Sequence, residues 1–428
     1  MTTKNNIPAG YKDSAVGIIP QEWEVKALGE AYKLQGGYAF KSELFADIGI
    51  PIVRISNLPM DSNIVDITDC VYYPNTESIK EQFIIKQGML LIAMSGATTG
   101  KTAVYNSQNS SYLNQRVGMF CSKNDDITYN YLLQLVQSPL YSNALKPLLI
   151  AGAQPNIAPS DVENMKFPVP PMEEQRKIAE ILGVWDEAIE KQSRLIEKLE
   201  LRKRALMQRL LTGRTRLPGF NTPWQKVKLG EIGTFLSTNT LSRDKLNDNN
   251  GSIQNIHYGD ILVKYSSIVD AKLTAIPYVN EDVAISSDYL ENGDIVFSDT
   301  AEDNIVGKAV EISNIADKKI VAGLHTMLFR PNKGSYAQHF LGYYLNSDAY
   351  RKQLAPLIQG IKVCSISKRA ICHTIVLTPS LPEQKAIAEV LTVADNEIAT
   401  HRKKLDALRL QKRGLMQQLL TGKTRVKI

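Results

Sequence analysis

Residues 174–216 read "EQRKIAEILGVWDEAIEKQSRLIEKLELRKRALMQRLLTGRTR", and residues 383–425 read "EQKAIAEVLTVADNEIATHRKKLDALRLQKRGLMQQLLTGKTR". The two stretches align without a gap from Glu174 and Glu383 onward, and roughly half of the paired positions are identical. Chance does not produce such a match over this length, so the chain contains an internal duplication.

The duplication extends upstream of both stretches. "WEVKALGE" (Trp23–Glu30) matches "WQKVKLGE" (Trp224–Glu231), and "TTGKTAV" (Thr98–Val104) matches "NIVGKAV" (Asn304–Val310). Short β-rich runs, turn residues and one helical segment fill the rest of each half, which is typical of α+β domains. The predicted organisation is a first domain (residues 1–170), a central repeated helix (171–216), a second domain (217–378) and a C-terminal repeated helix (379–428).

Both repeated segments predict long helices with a heptad seam. Gly213 and Gly422 follow the last seam residues and are expected to be left-handed caps. If the halves are equivalent, the second helix returns along the first. The fold class is then two α+β domains separated by a long antiparallel coiled coil, related by a pseudo-twofold internal duplication. The predicted seam consists of Ile178, Leu182, Trp185, Ile189, Gln192, Ile196, Leu199, Lys203, Leu206 and Leu210, and of Ile387, Leu391, Ala394, Ile398, His401, Leu405, Leu408, Lys412, Leu415 and Leu419.

Each seam is interrupted by polar residues at matching places. In an antiparallel pair, Gln192 can face Lys412 and Lys203 can face His401, which would fix the register at some cost in stability. Alternatively, the two lysines extend from the ends of the seam into solvent.

Composition excludes several classes of protein. The net charge of +6 and the pI of about 8.8 point mildly towards an anionic partner. There is no apolar run long enough to span a membrane, and the N-terminal residues lack the apolar core of a secretory signal. The cysteine usage fits a reducing cytoplasm best. The spacing of Cys70, Cys121, Cys364 and Cys372 predicts neither a metal site nor a disulfide framework.

The stretch "SGATTGKT" (Ser95–Thr102) ends like a nucleotide-binding P-loop. The spacing from Gly96 to Gly100 is one residue too short, and a β-rich, turn-rich run follows where a P-loop requires a helix. The second copy keeps only the Gly-Lys pair. We therefore interpret the stretch as a strand–loop–strand that both domains share, in which one lysine could be useful for binding.

The pattern "PP-x-x-EQ-x-x-IA-x-x-L … L-x-x-x-L-x-TG", which occurs after each variable domain, resembles the specificity (S) subunit of type I restriction–modification enzymes. "GYAFKSELFADIGIPIVRISNL" (Gly37–Leu58) and "MSGATTGKTAV" also resemble the target recognition domains of that family. The resemblance covers essentially the whole chain. The acidic insert in "SDTAEDNIVGK" (Ser298–Lys308) departs from the family pattern, so how the second domain meets phosphate there stays open.

The resemblance implies a function and a set of partners. Each domain would read one half of a bipartite, asymmetric sequence in double-stranded DNA, and the coiled coil would set the unread spacer. Two methyltransferase (M) subunits would dock on the chain and bring S-adenosylmethionine, and motor–nuclease (R) subunits would bring ATP and Mg. The S subunit itself would not be an enzyme and would need no cofactor or metal of its own.

Candidate DNA-binding residues are polar or basic side chains on predicted loops, because such groups contact base edges and phosphates. The basic runs at 202–204 and 412–413 either contact DNA or form solvated faces and partner contacts. The candidates are Arg54, Lys101, Asn114, Gln115 and Arg116 in the first domain, and Asn255, His257, Lys308, Lys362, Lys368 and Arg369 in the second.

Two other classes of protein remain as alternatives. One is a coiled-coil scaffold without DNA specificity, which the divergence of the two domains disfavours. The other is a P-loop nucleotide-binding protein, which ATP turnover by the isolated chain would reveal.

Overall fold

The computed structural model describes residues 7–60, 62–75, 79–150, 156–281 and 283–428. The chain divides into two compact units, Met1–Gln192 with Lys404–Ile428, and Ser193–Lys403. Each unit therefore combines one variable domain with the first part of one long helix and the last part of the other.

The first domain contains two four-stranded sheets. Its helices include Tyr129–Val136 and Pro139–Ile150, which pack on a core that contains Trp23 and Tyr131. In spatial order, one sheet consists of Val71–Tyr73, Ile50–Val53, Ser111–Leu113 and Ile84–Ile85, and the other of Tyr32–Gly36, Val117–Ser122, Leu90–Ala93 and Thr102–Val104. Other elements are the paired strands Tyr11–Lys12 and Ile19–Pro20 and the short helices Leu28–Ala31 and Pro159–Glu163.

The second domain repeats this plan with additional strands. Its α-helices include Tyr258–Val263, Phe340–Tyr344, Asp348–Leu354 and Lys368–Cys372. In spatial order, the five-stranded sheet consists of Gly233–Leu236, Thr326–Pro331, Ile295–Ser298, Ala309–Ser313 and Ile268–Asp270, and the four-stranded sheet of Leu246–Asn247, Tyr278–Val279, Ile253–Ile256 and Lys319–Ala322. Thr300–Ala301 pairs with Cys364–Ser365 in a separate small sheet.

A two-stranded sheet connects each domain to its following helix. Glu24–Ala27 pairs with Lys166–Val169, and Gln225–Lys228 pairs with Ile375–Thr378, both antiparallel. The matched "WEVKALGE" and "WQKVKLGE" segments thus form the same strand in each half, and the partner of that strand leads into a long helix.

The Gly-Lys turn has one geometry in both domains. Gly100 and Gly307 have φ values of 82° and 79°. The Gly100 N–H donates to the Ala93 carbonyl at 2.7 Å, and the Gly307 N–H donates to the Ser298 carbonyl at 2.8 Å. A strand, Thr102–Val104, follows the first of these turns and no helix begins there. The strand–loop–strand interpretation is confirmed, and the P-loop geometry is absent from this turn.

The two long helices are Met172–Leu210 and Leu381–Leu419. Every residue of the predicted seam is buried or half-buried. Gly213 and Gly422 have φ values of 68° and 69°, as expected for left-handed caps. The predicted fold class is confirmed.

The predicted partners of the seam lysines are wrong. Within the first unit, the Lys412 Nζ lies 2.6 Å from Asp186 Oδ1, and within the second unit, the Lys203 Nζ lies 2.5 Å from Asp395 Oδ1. The lysine side chains are only 8% and 16% exposed. A carboxylate offsets the burial of an ammonium group better than the amide of Gln192 or the imidazole of His401.

These aspartates also receive a hydrogen bond from the variable domain of the same unit. The Gln134 Nε2 donates to Asp186 at 2.9 Å, and the Tyr343 hydroxyl donates to Asp395 at 2.8 Å. Gln134 and Tyr343 occupy equivalent positions of the duplication. In each unit, one carboxylate therefore connects the domain, its own helix and the opposite helix.

The direction of pairing is antiparallel and is supported by charge. Acidic side chains are concentrated in the first part of the helix Met172–Leu210 and basic ones in its last part, and the helix Leu381–Leu419 has the same polarity. In the second unit, Arg202 pairs with Glu397, and Arg402 pairs with Glu200 at 2.5 Å. Parallel pairing would bring like charges together, so the distribution favours the antiparallel arrangement.

The glutamate that opens each repeat lies in a buried cluster with a tryptophan and an arginine. We call this cluster the clasp; the first consists of Glu174, Trp23 and Arg425, and the second of Glu383, Trp224 and Arg216. Glu174 is 1% exposed and accepts from the Trp23 indole at 2.9 Å and from two nitrogens of Arg425 at 2.7 and 2.9 Å. The equivalent Glu383 is fully buried and accepts from Trp224 at 3.1 Å and from two nitrogens of Arg216 at 2.6 and 2.7 Å. The arginine after the Thr-Gly end of one helix therefore neutralises the buried start of the other helix.

Candidate nucleic-acid interface

Three chain segments that are distant in sequence meet at one point of the first domain. The Met94 N–H donates to the Arg116 carbonyl at 2.9 Å, and the Ile157 N–H donates to the Met94 carbonyl at 2.9 Å. Ser95 and Asn156 are bridged as antiparallel neighbours. We call this point the first junction and define it by residues 94–99, 114–116 and 156–157.

The second domain builds the same arrangement. The Asp299 N–H donates to the His325 carbonyl at 3.1 Å, and the Ile366 N–H donates to the Asp299 carbonyl at 3.0 Å. Thr300 pairs with Ser365, as Ser95 does with Asn156. We call this point the second junction and define it by residues 299–300, 323–325 and 365–366. Arg116 and His325 are equivalent positions that carry different side chains.

The first junction opens into a cleft of about 750 Å³. Polar side chains on its walls include Ser95, Thr99, Gln115, Arg116 and Asn156. Gln115 and Arg116 are exposed, as a group that contacts an external ligand must be. An open, polar cleft of this kind suits a polymer surface better than an enclosed small molecule.

Two of the other candidates in the first domain are held by local contacts. Asn114 accepts from the Arg116 N–H at 3.3 Å, so it shapes the turn that presents Arg116. Lys101 donates from its Nζ to Asn63 Oδ1 at 3.0 Å. Arg54 precedes the short turn Ile55–Asn57, and its Nε is buried without a hydrogen-bond partner among the described residues.

In the second domain, three candidates need correction. Asn255 is fully buried in the strand Ile253–Ile256, where its Oδ1 accepts from Asn239 at 3.1 Å, so it is not at the surface. His257 is 8% exposed, and its Nδ1 accepts from the Gly259 N–H as a helix cap; burial lowers its pKa. It occupies the place of Arg54, next to the second junction.

The third correction concerns Lys308. Its Nζ donates to the carbonyls of Leu262 and Tyr265 at 3.1 and 2.8 Å, and burial lowers its pKa. Both carbonyls belong to the end of the helix Tyr258–Val263 and the turn after it, where free carbonyls require donors. Lys308 therefore stabilises the fold and is not placed to contact phosphate.

The remaining basic candidates are exposed. Lys362 lies between Gly360 and Cys364 on a loop whose ends pair at Gln359 and Ser365. Lys368 and Arg369 open the helix Lys368–Cys372, and the Lys368 ammonium lies 5.8 Å from the centre of the Phe235 ring. This basic segment joins the second junction directly through Ser365 and Ile366.

Sequence reasoning missed Asp299, Thr300 and His325. Thr300 Oγ1 lies 2.8 Å from Asp299 Oδ1 and 3.2 Å from His325 Nδ1. The only sequence signal was the alignment of "LHTMLFR" (Leu324–Arg330) with "QRVGMFC" (Gln115–Cys121), which places His325 opposite Arg116. The basic runs on the helices were also candidates for DNA contact. Three of their residues form ion pairs with carboxylates of the chain instead: Arg202, Lys203 and Lys412.

None of the helices in the part of the chain that the structure describes is both long and apolar enough to cross a membrane. In the same part of the chain, no group of three or more His, Cys, Asp or Glu side chains is arranged to hold a metal ion.

Comparison with known families identifies the family of the chain. The family model described as the type I restriction modification DNA specificity domain matches residues 20–201 and again residues 221–410. The two matches cover most of the chain, and each contains one junction. The chain belongs to the family of type I restriction–modification specificity subunits.

Two individual relatives are similar to this chain over nearly its whole length. It is 27% identical over 441 aligned positions to the MjaVIII specificity subunit of Methanocaldococcus jannaschii, covering 96% of this chain and 94% of that one. It is 28% identical to the putative MjaX specificity subunit of the same organism, covering 97% of both chains.

Solved structures share the fold. A chain from a type I restriction–modification system, solved to explain complex assembly and conformational transition, superposes with a TM-score of 0.57 at 18% identity and covers 95% of this chain and 99% of its own. The S subunit from M. genitalium superposes with a TM-score of 0.52 at 14% identity and covers 98% of both chains.

The two lysines of the second domain allow a matched test. Lys308→Met is expected to lower the free energy of unfolding by about 1–2 kcal/mol, because two carbonyls lose their donor, whereas Lys368→Met should change it by less than about 0.5 kcal/mol. Urea denaturation of the chain measures both.

In salt titrations of DNA binding by the complex with methyltransferase subunits, Lys368→Met should make the log–log slope less negative by about 0.9 if it removes a phosphate contact. Weaker DNA binding by a fully stable Lys308→Met variant would contradict the assignment of Lys308 to the fold alone.

Proposed function

We propose that this chain is the non-catalytic DNA-reading subunit of a type I restriction–modification complex, in which each domain reads one half of a bipartite, asymmetric target. The observation that carries the proposal is the pair of junctions. The same backbone hydrogen bonds hold Arg116 at one junction and His325 at the other. Two domains that read different DNA sequences require the same backbone scaffold with different side chains. Contacts to base edges determine which sequence is bound, whereas contacts to phosphates only position the protein on the DNA.

The partners in the proposal are two methyltransferase subunits and the motor–nuclease subunits. The methyltransferases would bring S-adenosylmethionine, and the motor–nucleases would bring ATP and Mg. The repeated sequence of the two long helices supports two copies of one partner, since a repeated surface can bind the same protein twice. The helices would also set the length of the unread spacer, and their lysine–aspartate pairs support this role by fixing the register.

The experiment that tests the proposal is methylation sequencing of DNA from cells that express the chain with its methyltransferase subunits. We expect methylated sites to share one bipartite motif with an unread spacer, and no methyl transfer by the chain alone. Methylation without any motif would favour the coiled-coil scaffold instead. Methyl transfer or ATP turnover by the purified chain would contradict the non-catalytic assignment.

A further inference from the structure

His325 has an unusual backbone for an exposed side chain. Its φ is 54°, in the left-handed region, and its side chain is 45% exposed. Non-glycine residues rarely adopt this conformation, and such strained residues cluster at ligand-binding and active sites. The surrounding fold fixes it, because the Asp299 N–H donates to the His325 carbonyl and the Gly323 N–H donates to the Ile256 carbonyl at 2.9 Å.

The contacts of the ring determine which nitrogen carries the proton. The Thr300 hydroxyl donates its single hydrogen to Asp299 Oδ1 at 2.8 Å, so its oxygen accepts at its other contact, His325 Nδ1, at 3.2 Å. Asp299 Oδ1, which can only accept, is 3.3 Å from the same nitrogen. Nδ1 therefore carries the hydrogen, and in the neutral ring Nε2 is a bare acceptor.

The orientation of the ring is fixed from a second side. The Tyr258 ring contacts the His325 ring edge to face, with 5.3 Å between the centres. Tyr258 begins the helix Tyr258–Val263, which His257 caps. An acceptor whose tautomer and direction are both set in advance loses little entropy when it binds.

We propose that His325 reads one base pair of the half-site bound by the second domain, by accepting through Nε2 from an exocyclic amino group, either N6 of adenine or N4 of cytosine, in the major groove. Asp299 and Thr300 are positioning residues that hold the tautomer. The inference rests on the proposed function of the domain. The exposed Lys362, Lys368 and Arg369 lie on the segment that joins the same junction, as expected for phosphate contacts beside a base contact.

The variants that test the proposal are chosen to fold. His325→Gly removes the ring and suits the left-handed backbone, and His325→Asn also tolerates that conformation. Thr300→Val removes the hydroxyl that accepts from His325 Nδ1 and donates to Asp299. Thr300→Ser keeps this hydroxyl and should restore wild-type behaviour. Each variant is expressed with the methyltransferase subunits, and the methylated sites are sequenced.

The expected result for His325→Gly is that one position of the second domain's half-site becomes degenerate, while the first half-site and the spacer stay unchanged. Thr300→Val should loosen the same position, and Thr300→Ser should not. In a binding assay, an oligonucleotide that lacks the amino group at that position should bind the wild-type complex on the order of tenfold more weakly. The His325→Gly complex should bind both oligonucleotides equally.

Two outcomes overturn the inference without touching the proposed function. One is a wild-type complex with a bipartite motif and a His325→Gly complex with the same motif at every position. The other is an equal penalty from the missing amino group in both complexes. If the wild-type complex itself shows no motif, the proposed function fails, and that result is separate from either outcome.

Discussion

Replacing Arg425 by methionine is expected to lower the free energy of unfolding of the first unit by about 3 kcal/mol, because it leaves a buried carboxylate without its countercharge. Glu174 is 1% exposed, and its other described side-chain partner is the neutral Trp23 indole. Urea denaturation followed by tryptophan fluorescence measures it.

Matched variants separate the clasp from general charge effects. Lys423→Met removes one positive charge from the same exposed segment and should leave stability within about 0.5 kcal/mol of wild type. Glu174→Gln combined with Arg425→Met should be more stable than Arg425→Met alone, because the carboxamide is neutral and still accepts from Trp23. Equal stability of Arg425→Met and Lys423→Met would show that the clasp contributes nothing.

The architecture was predictable because it depends on periodic and repeated features. The heptad spacing marks which helix residues are buried, and it placed Ile178 and Leu391 correctly without any knowledge of the domains. The duplication showed that "GKT" is a turn, since a phosphate loop would not survive the loss of its leading glycine in the second copy. Periodicity and repetition are one-dimensional signals, so a sequence contains them in full.

The ion pairs and the junctions were not predictable in the same way. Asp186 and Asp395 lie just outside the apolar seam, so the heptad pattern gives no sign that they neutralise Lys412 and Lys203. Lys308 has the sequence context of a surface loop, yet its ammonium group donates hydrogen bonds to carbonyls at the end of a neighbouring helix. His325 acquires its role from three segments that meet only after folding.

Exchanging the second domain, residues 217–378, for that of another specificity subunit is expected to replace one half of the recognised sequence completely. The physical reason is that each junction is built within its own unit and shares no residue with the other. The exchange boundaries keep Arg216 and Glu383 in the host chain, so the buried ion pair of the second clasp survives. The donor domain should carry a tryptophan at the place of Trp224, because that indole donates to Glu383.

Two controls make the exchange interpretable. The chimera should retain the long-helix seam, so its urea denaturation should show the same transition for the first unit as the wild-type chain. A chimera with the reciprocal exchange of residues 1–170 should change the other half of the target. Together the two chimeras assign each half-site to one domain.

Methylation sequencing of the wild-type chain and the second-domain chimera, each expressed with the same methyltransferase subunits, tests the central claim most directly. We expect the two motifs to share one half-site and the spacer length, and to differ in the whole of the other half-site. A chimera whose motif changed in both halves, or in neither, would contradict the conclusion that two separate domains read the two halves of the target.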